Sequence, residues 1–413
     1  MKSRTKKTKV TEGIPAANPL GSTAGVDWMA SATSDLREKS CAVNGWLETT
    51  LGEFVSLQRG HDLTEPERRI GSVPVLGSAG QNGFHDTALA KGPGIVIGRS
   101  GASFGQVHFC ALDYWPHNTG MYVTDFKGND PRFTYYFLKA INFDRYNSGS
   151  AQPSLNRNFI YPIPINIPPL PQQKAIAAVL GALDDKIELN RRMNATLEAL
   201  AQSLFKSWFM DATQPALPKG WRYETIAELC DINSWTLGKG DELEKIEYVE
   251  ISEVMHGNIA NIQSYERGEE PSRARRRLRH GDTVLSTVRP DRGSYFLCLN
   301  PSANLIGSTG FAVLTPTNAP WSFIHAAMTQ SQVFEYLGQQ ADGGAYPAVR
   351  PEIIAGLKVP WPSKPELLEK FHQVCAPIYE RAELNRQESR TLAALRDALL
   401  PKLLLGELRV PNA

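Results

Sequence analysis

The chain has 413 residues, of which 42% are apolar and 21% charged, a composition typical of a globular protein with two or three domains. No apolar run reaches the roughly 18 residues that a membrane helix needs, and the start lacks the apolar core of a signal peptide, so we expect a cytoplasmic protein. The formal net charge of +1 excludes a uniformly basic nucleic-acid-binding protein, so any such surface must gather its basic groups on one face or share the task with partners.

The first 41 residues differ from the remainder of the chain. They are rich in Lys, Ser, Thr, Ala and Gly, and a segment of this composition cannot bury enough apolar surface to fold alone. We therefore expect an extension without stable structure at 1–41. The alternative is an additional arm that contacts a nucleic acid or a partner protein.

Beyond this extension, the chain contains an internal repeat. The first copy opens at Trp46 with WLETTLGEF, and the second opens at Trp221 with WRYETIAEL. Each copy closes with a loop, a proline-rich stretch and a long helical pattern, and both patterns contain Glu-Leu-Asn, which ends at Asn190 and Asn385. The repeat predicts globular domains at 42–168 and 213–362, long helices at 169–212 and 363–408, and a tail at 409–413.

The globular parts carry short β-branched runs between turn residues, which are typical of strands. These runs begin at Gly94 and Gly120 in the first copy and at Thr283 and Gly310 in the second. A short helix is expected over 131–141, and its counterpart over 320–337. The predicted fold class is therefore α+β, with two similar mixed α/β domains separated by a pair of long helices in a pseudo-two-fold repeat.

The two long helical patterns have apolar residues at three- and four-residue spacing, as in a coiled coil. Each helix would be roughly 55 Å long, too long to pack along one domain of this size. We therefore predict that the helices pack on each other in antiparallel orientation. Asn190 and Asn385 lie in the apolar seam, where a buried Asn costs stability but fixes the register; a solvated edge is the alternative position.

Together these features resemble the specificity subunits of type I restriction-modification enzymes. The resemblance covers Trp46 to Leu408. It rests on the two-fold repeat, the proline-rich run that leads into QQKAI at 172–176, the long helix that follows, and the ending LRDALLPKLLLGELR at 395–409. None of these features is diagnostic alone, but their order along the chain makes the signal specific.

The resemblance implies that each domain is a target-recognition domain for one half of a bipartite site in double-stranded DNA. It implies that the helices set the spacing and dock two methyltransferase subunits, with restriction (motor-nuclease) subunits joining through the complex. The chain itself is then non-catalytic and needs no cofactor, since S-adenosylmethionine, ATP and magnesium belong to partner subunits. Two base-reading modules on one face of a duplex lie about one helical turn, roughly 34 Å, apart, and a rigid helix pair can fix such a spacing.

The first candidate DNA contact is the glycine-rich loop (residues 98–105), which resembles a loop seen in many recognition domains of this family. Glycine lets the backbone approach a phosphate closely, and Arg99 with Ser100 would contact a phosphate or, through the guanidinium, a guanine. The arginine loop (residues 288–293), with Arg289 and Arg292, looks like its equivalent. For both loops an ordinary strand turn is the alternative.

Other candidates are an arginine run and two loops that precede the proline-rich stretches. Five arginines occur in seven residues, which is commonly a solvated face, but in a near-neutral chain this run is the best candidate for a phosphate-binding patch; the side chains proposed are Arg273, Arg275, Arg276 and Arg277. In the glutamine loop (residues 148–152), Gln152 would pair with adenine. In the tyrosine loop (residues 342–346), Tyr346 would stack on or hydrogen-bond to a base. Structural turns are the alternative for both loops.

Three other functions were weighed. An adenine methyltransferase needs an Asn/Asp-Pro-Pro-aromatic motif, but the single Pro-Pro pair lies between Ile167 and Leu170, and the phosphate loop of an ATP-driven motor is missing. The eight histidines and five cysteines show no metal-ligand spacing. A coiled-coil scaffold without DNA reading fits the charge but does not need two long, divergent domains. A closer alternative is the specificity subunit of a related system with a fused methyltransferase-nuclease partner.

Overall fold

The computed structural model describes residues 45–149, 152–238, 240–344 and 346–410. The predicted extension at 1–41 lies outside the described residues. The described chain falls into two compact units. The first unit contains residues 45–190 and 388–410, and the second contains residues 191–387. Each unit thus combines one globular domain with part of each long helix.

The first unit is built from short strands and three short helices that precede a long one. Its strands are β1 (Leu47–Thr50), β2 (Ser56–Arg59), β3 (Val73–Gly77), β4 (Gly80–His85), β5 (Gly94–Gly98), β6 (Val107–Cys110), β7 (Trp115–Pro116), β8 (Gly120–Asp125) and β9 (Pro164–Ile167). The helices are α1 (Leu51–Phe54), α2 (Pro131–Ala140), α3 (Arg157–Ile160) and the long α4 (Leu170–Phe205), whose later residues belong to the second unit.

The second unit repeats this plan. Its strands are β10 (Arg222–Thr225), β11 (Cys230–Ile232), β12 (Lys245–Val249), β13 (Val254–Met255), β14 (Asn258–Ile259), β15 (Gln263–Glu266), β16 (Ala274–Arg277), β17 (Asp282–Ser286), β18 (Tyr295–Cys298), β19 (Leu305–Ser308), β20 (Phe311–Pro316) and β21 (Lys358–Trp361). Its helices are α5 (Ile226–Leu229), α6 (Trp321–Met328), α7 (Ser331–Gln339), α8 (Pro351–Ala355) and the long α9 (Pro365–Leu404).

The sheets show the repeat at the level of strand order. The first domain has a four-stranded sheet of order β2-β8-β5-β6, and the second has the same sheet as β11-β20-β17-β18. The first and last strands of each domain pair in antiparallel orientation, β1 with β9 and β10 with β21. A second sheet contains one parallel pair in each domain, β3 with β7 and β12 with β19. This equivalence confirms the predicted α+β class with two similar domains.

Local sequence accounts for the helix that packs beneath each four-stranded sheet. In the first domain, Asp130 caps α2 by accepting a hydrogen bond from Phe133 N at 2.8 Å, and Pro131 fits the first helical position. In the second domain, the helix expected over 320–337 is two helices. The first of them ends because Thr329 leaves the helical conformation (ψ 15°), and α7 begins two residues later.

The long helices run antiparallel within each unit. In the first unit, Asp184 of α4 contacts Arg396 of α9, and Asn190 contacts Glu388. Residue numbers therefore increase along α4 in the direction in which they decrease along α9. In the second unit, residues 194 and 205 of α4 meet residues 385 and 371 of α9 in the same sense. The predicted antiparallel helix pair is therefore confirmed, while the predicted segment limits stay predictions.

Candidate nucleic-acid interface

In the first domain, the glycine-rich loop and the glutamine loop lie side by side. Ser100 forms a β-bridge with Ser154, just after the glutamine loop, and the next residue donates its backbone N–H to Arg99 O at 2.8 Å. Gln152 is exposed, and its Nε2 lies 3.9 Å from the position that a Cβ on Gly101 would occupy. The structure therefore brings Arg99, Ser100 and Gln152 together at one surface.

An open groove of about 650 Å³ lies beside these loops. Its lining includes Gln58, Arg59, His61, Arg99, Asn156 and Arg157. Arg59 is exposed, with an Asp62 carboxylate oxygen 4.0 Å away. Arg157 is held in place because its Nη1 donates to Leu57 O at 2.9 Å. Three arginines from segments far apart in the sequence, together with Asp62, thus line one groove in a chain that is nearly neutral overall.

Arg59 and Arg157 are members of this group that the sequence did not predict. Arg59 ends strand β2, and its place in the groove depends on the pairing of β2 with β8. Arg157 begins the short helix α3, about one hundred residues from its hydrogen-bond partner in β2. No local pattern marks either residue, because only long-range strand pairing brings them to Arg99.

In the second domain, the arginine loop and the tyrosine loop are joined in the same way. Arg289 N donates to Pro347 O at 2.8 Å. The Arg289 Cζ lies 4.8 Å from the centroid of the exposed Tyr346 ring, which is within cation–π range. Arg292 is exposed at the end of the 3₁₀ turn that follows Arg289. Two residues that the sequence singled out separately, Arg289 and Tyr346, are thus in direct contact.

The hydrogen bonds align the two loop pairs residue by residue. The Arg99 carbonyl accepts a backbone hydrogen bond from the segment after the glutamine loop (2.8 Å), and the Thr287 carbonyl accepts the same bond after the tyrosine loop (2.9 Å). Arg99 therefore corresponds to Thr287, and Gly101, two residues later, corresponds to Arg289. The loops are equivalent, as the sequence predicts, but their arginines occupy different positions.

The arginine run forms strand β16, an additional strand for which the described part of the first domain has no counterpart. β16 pairs with β19 on one side. On its other side, Arg277 N donates to Trp235 O at 3.1 Å, and Leu237 N donates to Arg275 O at 2.7 Å. The strand is therefore covered on both edges, and its arginine side chains project from the faces of the sheet.

Several arginines of this run contact groups of their own domain. Arg275 lies 3.4 Å from Glu270, and Arg277 pairs with Asp241. The guanidinium carbons of Arg277 and Arg279 lie 3.9 and 4.5 Å from the centroid of the Trp235 ring. Arg273 is exposed, whereas Arg275, Arg276 and Arg277 are half-buried, and burial lowers the pKa of the Arg276 guanidinium. Arg277 is thus part of the internal structure of the domain, and Arg273 is the most accessible cation of the four proposed.

The two residues predicted to fix the helix register are buried, Asn190 at 0% and Asn385 at 1% exposure. In the first unit, Asn190 Nδ2 donates to Glu388 Oε2 at 2.8 Å. In the second unit, Asn385 Nδ2 donates to Asn194 Oδ1 at 2.8 Å, and Asn194 Nδ2 donates to Ala382 O at 2.9 Å. Both amides therefore bond across the helix pair, and their role in the register stays a prediction.

Other groups that often mark function behave as structural residues. In the described ranges, no group of three or more His, Cys, Asp and Glu side chains is placed to hold a metal ion. None of the described helices has the length and hydropathy of a membrane span. Burial raises the pKa of the thiols of Cys110, Cys230, Cys298 and Cys375 and so keeps them in the neutral form.

Comparison with known proteins gives this geometry a family context. Residues 44–199 match the model of the type I restriction modification DNA specificity domain. The specificity subunit of type I restriction enzyme MjaIX from Methanocaldococcus jannaschii is 24% identical over 304 residues, which cover 67% of this chain and 69% of the relative. The specificity subunit of type I restriction enzyme HindI from Haemophilus influenzae is 26% identical over 330 residues, covering 62% and 71%.

A solved structure shares the fold. The crystal structure of the type I restriction-modification S subunit from M. genitalium aligns with a TM-score of 0.56 and 19% identity, covering 88% of this chain and 97% of that one. This likeness concerns the fold alone. The sequence matches carry the assignment, and they agree with the resemblance that the repeat and the helix motifs indicate. Residues 44–199 are thus similar to the type I restriction modification DNA specificity domain, and the two relatives are specificity subunits of type I restriction enzymes.

Proposed function

We propose that this chain reads a bipartite DNA sequence for a type I restriction-modification complex, with each domain reading one half-site. The helix pair would set the gap between the half-sites and dock two methyltransferase subunits, with restriction subunits joining through the complex. The chain is a non-catalytic subunit, as its specificity-subunit relatives are. S-adenosylmethionine, ATP and magnesium would then act on the partner subunits, and the DNA substrate implies a cytoplasmic protein.

The observation that carries this proposal is the duplicated loop surface. In both domains, the loop that follows strand β5 or β17 contacts the loop that precedes the last strand, β9 or β21. Polar side chains lie at this contact. A spacer or scaffold has no need of two such surfaces. Duplication with different side chains is what two readers of different half-sites require, because phosphate contacts position a protein whereas base contacts specify the sequence.

Local charge supports the same function despite the low net charge. Arg59, Arg99 and Arg157 line one groove of the first domain. In the second domain, Arg273 and Arg292 are exposed. Phosphate contacts by such groups supply much of the affinity of DNA-binding proteins. The acidic side chains that lower the net charge include several that bond within the fold, such as Asp184 and Asp241.

The test is co-expression with a candidate methyltransferase subunit from the same genome, followed by single-molecule mapping of methylated adenines. We expect one discontinuous motif with two short half-sites and a fixed unspecified gap. If the methyltransferase co-purifies with this chain but no such motif appears, the proposed docking is supported and the proposed DNA reading is contradicted. Failure of both would favour the protein scaffold. A partner that carries its own nuclease would identify the related system with a fused subunit.

Charge reversal tests the groove of the first domain. Arg99→Glu should weaken DNA binding by the complex and lower its salt dependence, because a phosphate or base contact is lost. Arg69→Glu is the matched control, since it makes the same charge change at a residue outside the groove lining. Equal losses for the two variants would show that the effect comes from net charge, and unchanged affinity for Arg99→Glu would remove the glycine-rich loop from the interface.

A change in helix length tests the spacing role. One heptad inserted after Ile187 and a matching heptad after Thr391, on the opposite helix at the same level, would lengthen the helix pair by about 10 Å at 1.5 Å per residue. The mapped motif should keep both half-sites and gain a longer gap. A seven-residue insertion in the surface loop after Gly268 is the control and should leave the gap unchanged. An unchanged gap in the helix variant contradicts the spacing role.

A further inference from the structure

Arg289 occupies a backbone position that disfavours a side chain. Its φ is 46° and its ψ is 57°, in the left-handed region, where a non-glycine residue is strained. The corresponding residue of the first domain is Gly101, with a φ of +81°, for which this region is unstrained. The second domain therefore has an arginine in a strained conformation at the position where the first domain has a glycine. Such strain concentrates at functional positions.

The residue that faces this position also differs between the domains. In the first domain Gln152 lies opposite Gly101, and in the second domain Tyr346 lies opposite Arg289. The Tyr346 side chain is 73% exposed, yet its ring is covered on one side by the guanidinium. The two differences between the domains, Gly101 against Arg289 and Gln152 against Tyr346, lie in direct contact. The space beside Gly101 in the first domain is filled in the second by the stacked Arg289 and Tyr346 side chains.

We propose that Arg289, backed by Tyr346, reads a guanine in the half-site of the second domain. This inference rests on the proposed function. A ring beneath the guanidinium limits its rotation and so fixes the plane of its N–H donors. Guanine presents O6 and N7 as two acceptors in the major groove, and a guanidinium edge matches both. A phosphate contact makes no such demand on orientation, so the stack favours a base over the backbone.

The first domain cannot make this contact at the equivalent position, since Gly101 has no side chain. The half-site of the first domain should therefore be indifferent to changes at Arg289. Arg292, which is exposed three residues further along the same loop, provides the matched comparison. It carries the same charge without the contact to Tyr346, so its loss should weaken methylation of all sites alike without changing the motif.

The experiment maps methylated adenines for the co-expressed complex with wild-type chain, Arg289→Gly, Arg289→Lys and Arg292→Ala. Arg289→Gly copies the first domain and relieves the strained backbone, so it should fold and co-purify with the methyltransferase. We expect both Arg289 variants to lose about 5- to 150-fold of the discrimination at one G·C pair, in one half-site only. Arg289→Lys keeps the charge and should still lose it. Tyr346→Phe should keep the discrimination, and Tyr346→Ala should reduce it.

The outcomes separate this inference from the function on which it rests. If the wild-type complex yields no bipartite motif, the proposed function fails and the inference falls with it. If a bipartite motif appears but Arg289→Gly changes neither half-site, or lowers methylation of all sites alike, the inference alone is overturned. A half-site for the second domain without any G·C pair would also overturn it. Relaxation at one G·C pair in the Arg289 variants, with Arg292→Ala keeping the wild-type motif, supports it.

Discussion

In the first unit, the helix beneath the four-stranded sheet meets the long helices through charged and hydroxyl groups. Tyr136 of α2 donates its hydroxyl to Asp184 Oδ2 at 2.6 Å, and Arg396 Nη1 donates to Asp184 Oδ1 at 2.6 Å. Arg132 forms two hydrogen bonds to Asp185 and holds the pKa of that carboxyl below its usual range. Burial raises the pKa of the Tyr136 phenol, which stays a neutral donor.

In the second unit, the corresponding contacts are aromatic. The spacing of 195 residues between Asn190 and Asn385 places Tyr379 at the position of Asp184 and Ala201 at the position of Arg396. The Tyr379 ring packs edge to face on His325, with centroids 4.9 Å apart. A cluster of four buried phenylalanines completes the contact: Phe205, Phe209, Phe323 and Phe371.

The comparison separates what the repeat retains from what it lets vary. Strand order and helix direction are the same in both units, and apolar side chains pack between domain and helices in both. The difference is local: Asp184 with its charged and hydroxyl partners occupies in the first unit the position that the Tyr379–His325 contact occupies in the second. Directed pairs such as Tyr136–Asp184 fix orientation through hydrogen-bond geometry, and an aromatic cluster does so through shape. Either chemistry can hold a globular domain on a helix pair.

The largest predicted effect is on the stability of the second unit. It concerns the contact between α6 and the long helices, which we call the aromatic joint. Phe323→Ala should destabilise the second unit by about 3–5 kcal/mol, because it empties a fully buried site between Phe205, Phe209 and Phe371. Urea unfolding gives the free energy, and hydrogen–deuterium exchange should show the loss of protection in residues 191–387. Tyr336→Ala, at a half-exposed aromatic of the same unit, should cost far less. Equal costs for the two variants would contradict an aromatic joint.

The contact of Asp184 with Tyr136 and Arg396, which we call the ionic joint, should lose stability when its shared acceptor is removed. Asp184→Ala leaves the Tyr136 hydroxyl and the mostly buried Arg396 guanidinium without their shared carboxylate, which should cost about 2–4 kcal/mol. Exchange should rise in α2 and in the last turns of α9. Asp397→Ala also removes a partner of Arg396, but from a side chain that is 47% exposed, so it should cost about 0.5 kcal/mol. A cost for Asp184→Ala as small as that of Asp397→Ala would mean that packing alone holds this joint.

Sequence patterns determine the repeated framework but not these joints. The spacing of Trp46 and Trp221, and of Asn190 and Asn385, identifies two domains with two helices, because repeats and heptads are local signals. Asp184 gives no such signal, since as a sequence it is one acidic residue on a helix surface. Its importance comes from Tyr136 and Arg396, which approach it only in the folded unit.

The candidate nucleic-acid interface also has features that the sequence predicts and features that only the fold creates. The loops with Arg99 and Arg289 follow predicted strands and are found where the sequence places them. The arginine run was identifiable by composition, but the engagement of Arg277 with Asp241 and Trp235 depends on distant segments. The two-residue offset between Arg99 and Arg289 is defined by the hydrogen bonds, because both loops have eight residues between their strands and few residues in common.

The aromatic joint should make the second unit sensitive to acid. Burial lowers the pKa of His325 to about 3, whereas an exposed histidine in the unfolded chain titrates near 6.5. Below pH 6.5 the unfolded chain binds a proton that the folded unit excludes, so this contribution to stability is full above pH 6.5 and is lost as the pH falls. Between pH 8 and pH 5 the loss is about 2 kcal/mol. Burial raises the pKa of Asp282 in the same unit to about 6, which changes stability in the opposite direction over this range. The loss is therefore measured by urea unfolding at both pH values as the difference between wild type and His325→Phe.

A control isolates this histidine from other titrating groups. His280→Asn replaces an exposed histidine of the same unit and should keep the wild-type pH dependence. The difference between the two variants is the quantity of interest, because other groups contribute equally to both. If His325→Phe loses as much stability on acidification as His280→Asn does, the acid sensitivity has another source and the contrast between the joints does not extend to pH.

The smallest predicted effect concerns the helix seam of the first unit. Lys186 Nζ lies 3.0 Å from Glu388 Oε2 and donates to Asn190 Oδ1 at 3.0 Å, but both charged side chains are more than a third exposed. Lys186→Met should therefore cost about 0.5 kcal/mol at low salt. The cost should vanish near 1 M salt, where the screening length is about 3 Å.

The second unit has a more deeply buried ion pair between the same two helices. Arg386 pairs with Glu198, and these side chains are only 13% and 25% exposed, so Arg386→Met should cost several-fold more than Lys186→Met and keep most of that cost in salt. Unfolding of both variants at low and high salt checks the difference. If Lys186→Met proves as costly and as insensitive to salt as Arg386→Met, the two seams are equivalent despite their different burial. The ionic character of the first unit would then extend into its helix pair as a structural element rather than as a solvated surface contact.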